Sequence, residues 1–102
     1  NTDTSTEQGL SAGEADDLVS CLDNNGVTIY GSNTCPHCTE LAESLGGFEA
    51  VEPIWVECTE NQQKCSDEME GRGVPEIQIN GEVYEGSRDP GAIASEVGCE
   101  LP

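Results

Sequence analysis

Residues 27–47, VTIYGSNTCPHCTELAESLGG, decide how the rest of the chain is read. Val27-Thr28-Ile29-Tyr30-Gly31 is a short, nearly continuous apolar run of the kind buried in a parallel sheet, so it is expected to be a central strand. A short loop leads to Cys35-Pro36-His37-Cys38 at the mouth of a predicted helix. Pro36 suits the first helical turn, where its missing N–H would have no partner anyway. Leu41, Ala42 and Leu45 then give the helix an apolar side, and Gly46-Gly47 ends it. Two cysteines three apart in this setting form a pair that can open and close as a disulfide.

Working outward, Ile54-Trp55-Val56 reads as a second strand, made parallel to the first by the helix between them. Glu60 to Glu70 is expected to be a short helix with Cys65 and Met69 facing inward, closed by Gly71-Arg72-Gly73. Glu76 to Ile79 alternates, Asn80-Gly81 signals a tight turn, and Glu82 to Glu85 alternates back, which is an antiparallel hairpin. Asp89 caps a last helix whose Ile93, Ala94 and Val97 face the sheet, with Gly98 ending it. Upstream, Leu18, Val19 and Leu22 mark a helix within residues 13–25, stopped at Asn24-Asn25-Gly26. Residues 1–12 are polar and aperiodic and read as a disordered tail or tether. The expected fold class is therefore α/β: one domain over residues 13–102, with a four-stranded mixed sheet flanked by helices and an extra helix at its N-terminal side.

Hydrophobic residues make up 34% of the 102 and aromatics 4%, so the core must be small and cross-links would help it. Lys64, Arg72 and Arg88 face 21 carboxylates, a net charge of −18. A phosphate backbone would be repelled by nearly every face, which excludes nucleic acid as a partner and disfavours anionic membranes. The acid is dispersed from Asp3 to Glu100, a pattern expected of a halophilic source, where salt screens the self-repulsion. The sequence contains no apolar run long enough to span a bilayer and no signal peptide. Its start at Asn1 leads to the expectation that a leader, anchor or larger parent has been trimmed away.

The element order α-β-α-β-α-β-β-α, with CPHC after the first strand, resembles the thioredoxin fold over residues 18–99. Three places carry the resemblance: the CPHC loop, Gly73-Val74-Pro75 before the hairpin, and Asn80-Gly81 followed by Tyr84 and Gly86. It implies a cis Pro75 lying against the reactive pair, with the Val74 backbone offering strand-like hydrogen bonds to an extended substrate. More closely, the chain is similar to thioredoxin-like domains fused to, or partnered with, prokaryotic homologues of vitamin K epoxide reductase. Cys21-Leu22, Tyr30-Gly31 leading to CPHC, Val56-Glu57-Cys58, Cys65 and the Asn80–Gly86 hairpin match. That family usually has Pro-Thr-Trp where this chain has Pro75-Glu76-Ile77.

At a helix start, unpaired N–H groups and the macrodipole favour an anion, so Cys35 is the expected nucleophile and Cys38, one turn inside, the resolving thiol. Pro36 and His37 tune the Cys35 thiolate, and a Pro-His pair resembles oxidising members of the superfamily. Such an oxidant lies near about −120 mV against about −270 mV for thioredoxin, a gap of about 7 kcal/mol for two electrons. The acidic surface pulls the other way by disfavouring a thiolate, so an intermediate to oxidising potential is expected.

Six cysteines allow about 15 pairings. We expect Cys35–Cys38 and Cys58–Cys65, with Cys21–Cys99 as the third bond, and this set implies an extracytoplasmic compartment. Zinc on CPHC with Cys58, Cys65 or His37 is the rival use, but the wide 58–65 spacing argues against it, so neither metal nor cofactor is expected. His37 has no Ser or Asp placed for a hydrolytic triad. Trp55 and Met69 read as core, and Arg72 and Arg88 either relieve the acidic surface locally or are ordinary exposed side chains.

The functional expectation is a monomeric thiol-disulfide oxidoreductase. It would exchange disulfides with protein thiols or disulfides and be recharged by a membrane vitamin K epoxide reductase homologue. A cytosolic glutaredoxin-like reductant, which lacks support from any basic cluster, and a non-catalytic binding module are the alternatives.

Overall fold

A computed structural model describes residues 12–70 and 73–99. The elements in chain order are helix α1 (Ala12–Asn24), strand β1 (Val27–Gly31), helix α2 (Pro36–Ser44), helix α3 (Phe48–Val51), a 3-10 turn (Glu52–Ile54), strand β2 (Trp55–Glu57), helix α4 (Gln62–Glu68), strands β3 (Glu76–Ile79) and β4 (Glu82–Val83), and helix α5 (Pro90–Val97). The chain is an α/β protein with an open, mixed four-stranded sheet in the order β2-β1-β3-β4. β1 runs parallel to β2, with Ile29 opposite Trp55, and antiparallel to β3, with Ile29 opposite Ile77. The expected central strand is thus β1, over the expected residues.

Pleating sends alternate side chains to opposite faces. Val27, Ile29 and Ile77 are buried in one cluster with Leu18, Val19 and Leu22 of α1, Leu41 and Leu45 of α2, and Ile93 of α5. Full burial of each such side chain contributes on the order of 2 kcal/mol. At the corner between α2 and α3, Gly46 has φ +105°, and a Cβ there would lie 2.4 Å from the Ala15 Cβ. Glycine is needed twice over at this position, for the left-handed backbone and for the close approach of α1.

The opposite face is polar yet covered. Glu76 and Gln78 are 4% and 5% exposed. Gln78 Nε2 donates to the Glu68 carbonyl at 2.9 Å and to Glu76 Oε2 at 2.6 Å, and the Glu70 N–H donates to Glu76 Oε2 at 3.0 Å. Tyr30 Oη donates to Glu68 Oε1 at 2.9 Å. The end of α4 and the segment after it thus satisfy the groups they bury, as a covered polar face requires.

Several boundaries depart from the sequence reading. Ile54 belongs to the 3-10 turn, so the second strand starts at Trp55. The helix expected over Glu60–Glu70 occupies only Gln62–Glu68, because Met69 is extended (φ −76°, ψ 142°). Met69 therefore lies outside the helix, half-buried, with its Sδ 3.9 Å from Cys58 Sγ. The return strand of the hairpin has two residues, after which the Tyr84 N–H makes one further bond to the Ile77 carbonyl at 2.8 Å. The expected tail, residues 1–11 in particular, and the Gly71-Arg72 stop lie outside the described residues.

Candidate active site

The loop between β1 and α2 is held by its own polar groups. The Ser32 and Thr34 hydroxyls are 2.8 Å apart, and the Thr34 N–H donates to Ser32 Oγ at 3.2 Å. The Cys35 N–H donates to the Ser32 carbonyl at 3.1 Å. Cys35 then takes the N-cap position of α2 with extended backbone (φ −97°, ψ 125°), and Pro36 follows in the first turn. The Cys35 carbonyl accepts both the Thr39 N–H, at 3.0 Å, and the Thr39 hydroxyl, at 3.2 Å. A strong local signal thus fixes Cys35 where the first N–H groups of the helix are unpaired.

The two thiols differ sharply in surroundings. Cys35 is half-buried and Cys38 is fully buried. The Cys38 N–H is the main group holding the Cys35 thiol below its ordinary value, against the opposing effect of burial. The Cys38 thiol, the His37 N–H and the Arg88 charge add to it. Cys38 is pushed up to about 11, first by burial and further by the Cys35 sulfur and the Glu57 charge, while the Ser32 backbone opposes. A proton therefore leaves the outer sulfur much more readily than the inner one. His37 points outward, with Nδ1 3.9 Å from Glu40 Oε1 and most of its side chain exposed.

Glu57, at the end of β2, braces the same loop. Burial opposes its ionisation, but the Thr59 hydroxyl at 2.7 Å, the Trp55 indole N–H at 3.1 Å and the Asn33 and Thr59 backbone N–H groups hold its carboxyl below the usual range. Its charge counts at Cys38, and its hydrogen bonds tie β2 to the loop before the thiols. Gly31 matters alongside it, because a Cβ there would lie 2.4 Å from Trp55 Cζ2.

The Val74–Pro75 peptide bond is cis, with Pro75 buried and Val74 half-buried at the entry to β3. Pro75 lines a groove of about 560 Å³ together with Gly73, Tyr84, Gly86 and Arg88. A second, smaller groove of about 270 Å³ is lined by His37, Glu40, Asp89 and, again, Arg88. Arg88 thus joins the proline side of the molecule to the His37 side.

The remaining cysteines form the bonds Cys21–Cys99, at 2.04 Å, and Cys58–Cys65, at 2.02 Å. The expected Cys35–Cys38 bond is not formed in this structure, where both residues are free thiols. Cys58 adjoins the site through its N–H, which donates to the Gly31 carbonyl at 2.7 Å. As a disulfide, neither Cys58 nor Cys65 offers a thiolate to zinc. The sequence reading missed Glu57, whose signal was a carboxylate at the edge of an apolar strand, and Ser32. The sequence reading gives Arg88 no role beyond local relief of the acidic surface, although one of only three Lys and Arg in so acidic a chain is itself a signal. A comparison with models of known protein families finds no match for this chain.

Proposed function

We propose that this chain is a thiol-disulfide oxidoreductase of thioredoxin-like fold that exchanges disulfides with protein substrates through Cys35 and Cys38. The asymmetry of the two thiols carries this reading: an outer sulfur with a lowered proton affinity and a fully buried partner held to about 11. An easily ionised sulfur is a good leaving group, and a stabilised thiolate favours the reduced pair, which makes the oxidised pair the stronger oxidant.

In that direction a substrate thiolate attacks Cys35 Sγ of the Cys35–Cys38 disulfide. A substrate–Cys35 bond forms, and Cys38 leaves and takes up a proton. A second substrate thiolate attacks the substrate sulfur of the mixed disulfide and expels Cys35 as a thiolate. The substrate has lost two electrons and the pair has gained them. A membrane homologue of vitamin K epoxide reductase is the proposed acceptor that reoxidises it. The two disulfides that brace the fold fit an extracytoplasmic setting, where they persist.

Trapping tests the reading. Cys38→Ala should accumulate mixed disulfides with single-thiol substrates supplied as activated disulfides, Cys35 expelling the small activating thiol and no second thiol being present to resolve the bond, and Cys35→Ala should accumulate none. Absence of trapping together with no turnover in RNase oxidation or insulin reduction would leave only a binding module. Equilibration of the wild-type pair with glutathione buffers tests direction, and a potential near thioredoxin's, about −270 mV, would reverse it.

A further inference from the structure

Arg88 has a place and a freedom that the exchange chemistry alone does not require. The described residues include two cations, and Lys64 is held 3.1 Å from Glu68. Arg88 is exposed and, among the described residues, has no carboxylate within ion-pair distance. Its neighbour Asp89 spends its carboxylate on the Gly91 N–H at 3.0 Å, capping α5. Among the described residues the guanidinium is therefore a fork of donors without a carboxylate partner, in a chain of net charge −18. It lines both the groove that contains Pro75 and the one that contains His37. Its charge also reaches Cys35.

We propose that Arg88 is a specificity residue that selects polypeptide substrates carrying a carboxylate side chain beside the reacting cysteine. This rests on the exchange activity proposed above. The groove along Gly73, Pro75, Tyr84 and Gly86 suits an extended segment, and a substrate Asp or Glu one or two residues from its cysteine meets the guanidinium while the sulfur meets Cys35. A planar guanidinium binds a carboxylate through two parallel hydrogen bonds, which an ammonium does not reproduce. The surrounding carboxylates Glu40, Glu76, Glu85 and Asp89 repel an acidic segment elsewhere, so Arg88 is the point at which one is accepted.

The experiment uses disulfide-linked peptides identical except for Glu, Gln or Lys beside the reacting cysteine, each mixed with an excess of the dithiol form of the wild type, Arg88→Gln, Arg88→Lys or Arg88→Glu, whose Cys35–Cys38 pair supplies the two electrons and becomes the disulfide. In about 1 M salt, where the Debye length is about 3 Å, long-range repulsion no longer masks a direct contact. The wild type should prefer the Glu peptide to the Gln peptide by about 1.5- to fivefold in kcat/KM, the span of an exposed ion pair. Arg88→Gln should bring that ratio to about one, Arg88→Lys should recover only part of it, and Arg88→Glu should turn the preference to the Lys peptide.

If Arg88→Gln slows all three peptides equally and moves only the pH–rate profile, Arg88 acts on the Cys35 thiolate alone and the selection is refuted. A rate loss confined to glutathione disulfide, whose carboxylates are those of a small free peptide, also overturns selection of a side chain. Exchange with none of the peptides would instead count against the oxidoreductase reading, so the two failures are separable.

Discussion

The Asn33 backbone N–H donates to Glu57 Oε2 at 3.1 Å, which ties the loop that presents the thiols to the last residue of β2. The same carboxylate serves the Trp55 indole and Thr59, so its two oxygens carry four hydrogen bonds from three residues. In Glu57→Gln one oxygen is replaced by an NH₂ group, and some of these donors lose their acceptor. We expect a loss of about 1–2 kcal/mol at neutral pH by urea unfolding. Because the folded carboxyl is held below its ordinary 4.5, the stability it provides is complete above that value and is lost as pH falls through its lowered folded value. The variant should show a shallower acid limb. Its Cys38, freed of the Glu57 charge, should titrate lower in a Cys35→Ala background than Cys38 does in Cys35→Ala with Glu57 intact, both followed by alkylation. An unchanged Cys38 profile would remove Glu57 from the site's electrostatics.

The two free thiols should separate in a pH series. Brief iodoacetamide pulses followed by peptide mass spectrometry are expected to label Cys35 from below the ordinary thiol value of 9.0, and Cys38 only towards about 11. Without reductant the four disulfide cysteines stay unlabelled, so the chain carries one label at neutral pH. Two labels at neutral pH would contradict the buried, strongly protonated Cys38.

Tyr30→Phe tests the polar face of the sheet. The substitution removes the hydroxyl that donates to Glu68 while keeping the ring, and should cost about 1 kcal/mol. Burial, together with Glu68 and Glu76, raises Tyr30 from 10.0 to about 12. The folded state thus keeps a proton that the unfolded chain releases, and the stability this provides is complete below pH 10 and lost as pH rises through about 12. The wild type should lose its advantage over Tyr30→Phe across that window, as read by urea midpoints at neutral pH and at pH 11. A constant difference would place the effect in packing alone.

What was legible in the sequence was local. β1 is a five-residue apolar run, Pro36 and Asp89 mark helix starts by their own chemistry, and Asn80-Gly81 makes its turn without help from afar. α3 was not legible, because four residues are too few to show a helical period. Burial of Glu76 and Gln78 was not legible either, since it depends on the chain after α4 crossing their face of the sheet. Cys35 and Cys38 carry their own signal, whereas Arg88 and Glu57 acquire a role only when separate segments meet at α2. The expected Cys21–Cys99 bond is formed where α1 and the end of α5 lie together.

The two disulfides should differ in worth. Loop closure across a separation of 78 residues removes more freedom from the unfolded chain than closure across 7. Converting both members to Ala is expected to cost about 4.5 kcal/mol at Cys21–Cys99 and about 2.5 kcal/mol at Cys58–Cys65. Urea midpoints of the two double variants at matched pH give the comparison. The reverse order would show that loop-closure entropy is not the main contribution of these bonds.

Net charge makes the last prediction. With 21 carboxylates against three Lys and Arg, the folded chain repels itself more than the expanded one does, because folding brings the charges together. Added salt shortens the range of that repulsion from about 10 Å at 0.1 M to about 3 Å at 1 M, so the melting temperature should climb steeply over this interval. Core burial and loop closure do not depend on screening in this way, which leaves the charge as the cause. Glu49 and Glu52 are exposed around the groove beside Phe48 and Trp55, with Glu60 close by on the same rim. Neutralising two of these as Glu49→Gln and Glu52→Gln should raise the melting temperature in dilute buffer and change it little at 1 M salt, so the two salt curves converge. Curves that stay parallel would trace the gain to helix propensity or local packing, and a wild-type melting temperature independent of salt would defeat the idea that this surface is adapted to salt.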